Sequence, residues 1–102
     1  MNSTAKQIEY AASLESTIQQ WIGEWEAMLP PTPQGAATKT RIEVAMAWLS
    51  KQDAGTQIDL LKVGTERKSL VGNVQFKNLT IAQDHAMAAG AVLKAIEGRM
   101  AR

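Results

Sequence analysis

Apolar residues near the start of the chain recur at helical spacing. Leu14, Ile18, Trp21, Trp25 and Met28 step by four and three, which marks one face of an α-helix. Ile8 and Ala11 extend that stripe upstream, and Ser3 or Thr4 can cap a helix over residues 3 to 28. Gly23 interrupts it at a cost of up to about 1 kcal/mol and marks a kink or a close approach. Pro30, Pro31 and Pro33 then end the helix, because proline removes a donor and restricts the residue before it. The short connection to a second helix, Gly35 to Lys51, favours an antiparallel helical hairpin.

That second helix has little polar face. Ile42, Val44, Ala45, Met46, Ala47, Trp48 and Leu49 point in almost every direction, so the helix needs enclosure on several sides. Either the rest of the chain wraps it or copies of the protein do, and self-association is the favoured expectation. After Gly55 the texture changes. The segments QIDLLKV and LVGNVQF, separated by GTERKS, are short and rich in apolar and β-branched residues, which predicts a β-hairpin over Ile58 to Phe76 with Gly72 at a bulge or a close approach. A last helix, Thr80 to Met100, places Ile81, His85, Ala88, Val92, Ile96 and Met100 on one face. The expected fold is mainly α within one domain, 1–102. It comprises an antiparallel helical hairpin (1–52), a short β-hairpin (53–79) and a C-terminal helix (80–102), an α+β arrangement assembling as a homo-oligomer.

Composition narrows the chemistry. The chain has 102 residues, no cysteine and one histidine, which excludes disulfides, thiol catalysis and multi-histidine metal sites. No resident cofactor or metal is expected. No apolar run is long enough to span a bilayer and no signal segment opens the chain, so the expectation is a soluble, cytoplasmic protein. Residues 1–50 carry three Lys/Arg against five Glu, a balance of −2, while residues 51–102 carry eight against five Asp/Glu, a balance of +3. That distribution lacks the basic stripe of a duplex-DNA binder but leaves room for a local anion site.

Four groups of residues bear on such a site. Trp21, Trp25 and Trp48 suit core packing, or a surface on which a base stacks. His85, beside Asp84 on an apolar stripe, reads as a satisfied, partly buried side chain, since no nucleophile is at hand for it to activate. GTERKS, Gly64 to Ser69, joins two hydroxyls to Arg67 and Lys68 and suits a phosphate or simply a solvated hairpin turn. It lacks the glycine and Gly-Lys-Ser/Thr order of a P-loop. ATKTRIE, Ala37 to Glu43, puts two threonines and two cations near a helix start, where free amides favour anions. A solvated first turn with a weak Arg–Glu contact is the competing reading.

The stretch LPPTPQGAATKTRIEVAMAWL, residues 29–49, also resembles the helical-hairpin domain of phage anti-CBASS and Thoeris anti-defence proteins, which sequester cyclic nucleotide immune signals. In that family a helix ends near Pro-Pro and a Ser/Thr-containing turn follows. A second helix then reads Thr-Lys/Arg-Leu/Ile-Glu-x-Ala-x-x-Trp. Here Pro30-Pro31-Thr32 precedes Thr40-Arg41-Ile42-Glu43-Val44-Ala45-Met46-Ala47-Trp48 in the same order. The family's charged turn is replaced by Thr32-Pro33-Gln34-Gly35-Ala36, so only the Thr32 hydroxyl carries over, and from about Gln52 onward nothing matches.

The resemblance implies a small non-catalytic sponge, often hexameric, with ligand pockets shared between subunits. Its ligand would be a cyclic oligonucleotide or a cyclic ADP-ribose-like signal. Lys39, Thr40 and Arg41 would contact phosphate, with Glu43 orienting the arginine or reading a base edge. Arg67 and Lys68 could add cations from a neighbouring copy, and Tyr10 or a tryptophan would stack on a base. The other expectation is a small oligomeric phage or bacterial protein that inhibits a host protein by direct binding.

Overall fold

The computed structural model describes residues 4–68 and 80–102, which form four helices: α1 (Ala5–Met28), α2 (Pro33–Leu49), α3 (Ala54–Lys68) and α4 (Ile81–Met100). The Thr4 hydroxyl accepts from the Gln7 amide while the Gln7 side chain accepts from the Thr4 amide, a reciprocal cap that satisfies two otherwise free donors. Thr80 and Gln83 repeat it at the start of α4. Along α1 the buried stretch runs from Ala11 through Leu14, Ile18 and Trp21 to Ile22, with Trp25 half-buried. Ile8 and Met28, at the ends of the expected stripe, are exposed.

α4 touches all three other helices. Its small residues Ala88 and Ala89 and the larger Val92, Leu93 and Ile96 are all buried. α1 lies antiparallel to it: Glu24 meets His85 near the start of α4, whereas Ile18 and Val92 converge further along, over Gly64. The expected hairpin of the first two helices is not a tightly packed pair, because α2 takes α4 as its principal partner and touches α1 little. α2 begins at Pro33, with Thr32 capping it through the Gly35 amide. The Pro30 carbonyl oxygen comes so close to Gly35 that a Cβ there would sit 2.1 Å from it, an approach only glycine permits. At the other end the Gln57 amide donates to the carbonyls of Leu49 and Gln52, satisfying acceptors that the end of a helix leaves free.

The expected β-hairpin is overturned. Its first strand, 58–63, is the middle of α3, no strand occurs among the described residues, and its second strand, 70–76, lies outside them. Asp53 opens α3 by accepting from the Thr56 amide at 2.9 Å, an Asx cap that starts a helix rather than a strand. Ala54, Leu60, Leu61 and Gly64 are buried. Adjacent leucines can both be buried because α3 is wedged between α1 and α4, which requires a stripe wider than one partner would. Gly64 is the point of closest approach. A Cβ there would lie 2.7 Å from Ile18 Cδ1 and 2.8 Å from Val92 Cγ2. The glycine read as the opening of a turn is a packing glycine inside a helix. No described helix is long and apolar enough to cross a membrane.

Candidate functional site

An open groove of about 430 Å³ runs along α4 where α1 and α2 approach it. Gly90 and Ala91 contribute small residues on α4, Trp25 projects from α1, and Arg41, Met87, Leu93 and Lys94 complete the lining. The Trp25 ring edge lies within ordinary van der Waals reach of this stretch of α4, 3.9 Å from where a Cβ on Gly90 would sit. The groove therefore joins one aromatic surface to two cations.

Arg41 is held in place from the far side. Its Nε donates to Glu97 Oε2 at 2.9 Å and its Nη2 to Oε1 at 2.6 Å, a fork that ties α2 to α4. The hydrogen bond, more than the charge, raises the arginine pKa and lowers that of Glu97. Two N–H groups are engaged out of a guanidinium's five, so donors remain for an anion. Beyond this pair lies a smaller pocket of about 170 Å³, lined by Thr40, Val44, Ala45 and Met100 as well as Arg41 and Glu97.

The expected site residues divide unevenly. Arg41 lines both pockets and Thr40 only the smaller one, and the Thr40 hydroxyl donates back to the Ala36 carbonyl. Lys39 and Glu43 are exposed on α2 outside both pockets. Arg41 is oriented by Glu97, not Glu43. The helix-start reading of Thr38 to Arg41 also fails: because Pro33 begins α2, these residues lie beyond the first turn, where amides are already paired. Thr32 is committed to its cap. Tyr10 is exposed on α1, about 22 Å along the helix axis from Trp25. Arg67 and Lys68 belong to the last turn of α3 rather than to a hairpin turn, and their side chains lie outside the described structure.

Lys94 and Glu97 were missed. The only signal for Lys94 was its place one turn after the Gly90-Ala91 pair, and Glu97 lies 56 residues from its partner, out of reach of any local pattern. His85 stands apart from the groove. It stacks on Trp21 with ring centroids 4.7 Å apart and bonds Glu24 through Nδ1 at 2.5 Å, a polar tie between α1 and α4. Among the described residues no three His, Cys, Asp or Glu side chains gather as a metal site would need. No known protein family, curated protein or solved structure matches the chain.

Proposed function

We propose that this is a non-catalytic binding protein for an anionic nucleotide, seated in the groove along α4 where α1 and α2 approach it. The observation that carries this reading is the convergence of the Trp25 indole with the Arg41 and Lys94 cations around one open groove. A base stacked on an indole gains roughly 1–3 kcal/mol, and a phosphate suits a guanidinium fixed by a second partner. Glu97 cancels most of the Arg41 charge, so Lys94 supplies the net attraction. The resemblance of residues 29–49 to phage anti-defence proteins narrows the ligand to a cyclic oligonucleotide or cyclic ADP-ribose-like signal. On that reading the protein acts in the host cytoplasm and sequesters the signal without cleaving it, so that the effector reading it falls silent.

The test is a thermal-shift and calorimetric screen against cyclic dinucleotides, cyclic trinucleotides and cyclic ADP-ribose isomers. A ligand that binds the folded state at one hundred times its Kd adds about 2.7 kcal/mol of stability. Lys94→Ala should weaken that binding at least about tenfold, since a charge-assisted bond is worth about 1.5–3 kcal/mol. Recovery of intact ligand after denaturation supports sequestration, whereas recovery of a cleaved product refutes it. No response to any of these ligands refutes the cyclic-nucleotide reading.

A further inference from the structure

α2 buries Ile42, Ala45 and Leu49 and leaves the opposite face in solvent. That face carries Ala36, Lys39, Thr40, Glu43, Val44 and Ala47, all exposed, with Val44 at 54%. We propose that it is the contact between two copies of this chain, their α2 helices lying antiparallel about the helix midpoint. The charge pattern is what selects a second copy as the occupant. α2 runs from Pro33 to Leu49, so its midpoint is Arg41. A two-fold axis at that level sets Lys39 of one copy opposite Glu43 of the other, and the symmetry repeats the pair.

Both residues lie on the same flank, being four apart. Within one copy a lysine preceding a glutamate by four is the weaker orientation, and neither side chain enters an ion pair among the described residues. Their charges are therefore free to be matched across the axis. Ala36, Thr40 and Ala47 are small enough for the helix axes to approach towards the 8 Å end of the usual 8–10 Å range. Val44 of each copy falls over the Ala36–Thr40 turn of the other. Arg41 reaches the level of the axis on the opposite flank, but its charge is met by Glu97 within its own chain.

The proposal is independent of nucleotide binding, and its test uses nucleotide-free protein. Sedimentation of the wild type over a range of concentrations should show a monomer–dimer equilibrium that weakens with salt. Lys39→Glu and Glu43→Lys each set like charges together at both contacts, and each should raise the dimer Kd at least about tenfold. Mixing the two variants should restore association, because both contacts of that heterodimer are again opposite in sign. The two side chains are exposed, so circular dichroism should show an unchanged fold. A wild type that stays monomeric throughout, single variants that pair as the wild type does, or a mixture that stays monomeric would each overturn it. The first of these outcomes would leave the face to a different protein.

Discussion

Gly64 sits in the middle of α3, where alanine would be the better helix former by about 1 kcal/mol. Its surroundings oppose that gain. An added Cβ meets Ile18 Cδ1 at 2.7 Å and Val92 Cγ2 at 2.8 Å, and these two side chains are 0% and 1% exposed. The isoleucine methyl ends a flexible side chain and can turn aside. The valine methyl is fixed close to its backbone and is boxed in by the core. Overpacking of this kind costs about 1–3 kcal/mol, so Gly64→Ala should lose about 1 kcal/mol net, lowering Tm by about 4–8 °C in a chain of this size.

Gly23 supplies the control, being exposed on α1 with no atom within 4 Å of a built Cβ. There the same substitution should gain up to about 1 kcal/mol. Urea unfolding followed at 222 nm should separate the two variants in opposite directions. A second arm isolates the contact itself. In a Val92→Ala background the clash with Cγ2 is gone, so adding alanine at 64 should cost little, giving a coupling of about 1–2 kcal/mol. If Gly64→Ala stabilises as much as Gly23→Ala, α3 is not wedged between α1 and α4 at that point and the account of the core is wrong.

Two further tests address the ties around α2. The Arg41 guanidinium holds the Glu97 carboxyl below its usual range, so around and below the unfolded value of about 4.3 the unfolded chain takes up the proton more readily. The pair's stabilisation is then complete above that value and lost as pH falls through the folded one. Both side chains are partly exposed, at 51% and 34%, which limits the effect to about 1 kcal/mol. Glu97→Gln should therefore be less stable than the wild type at pH 7 and nearly equal at pH 3, and a gap of the same size at both would contradict the pairing. Gly35→Ala should destabilise more than Gly64→Ala, towards the upper end of about 1–3 kcal/mol, because its Cβ meets backbone oxygen at 2.1 Å. An unfolding midpoint equal to that of the wild type would show that Pro30 does not approach as described.

The chain states its helix starts more clearly than its packing. Thr4-x-x-Gln7 and Thr80-x-x-Gln83 both form reciprocal caps, and the stripes on α1 and α4 follow the expected faces through their buried centres. α3 was illegible for a physical reason. Its Leu60-Leu61 pair breaks single-face periodicity because two partners, not one, bury it. Gly64 looks like a turn because its function, admitting Ile18 and Val92, depends on residues far away in sequence. The site shows the same limit. Arg41 stood out as an anion-binding residue, but the glutamate that fixes it and the lysine beside it are both on α4.

The all-round apolar character of α2 also means something different in three dimensions. Of the six exposed residues on its solvent face only Ala36, Val44 and Ala47 are apolar, and Val44 is the one large apolar side chain among them. At about 0.8 kcal/mol per buried methylene-sized group, exposed alanine methyls create far less pressure to associate than the same number of leucines. Counting apolar residues therefore overstates the greasiness of α2, whereas counting what lies between them reveals Lys39 and Glu43 on one flank. A face of this composition favours close backbone approach and matched charge over a large apolar interface. Its association should accordingly respond to charge reversal and salt more than to the loss of Val44 alone.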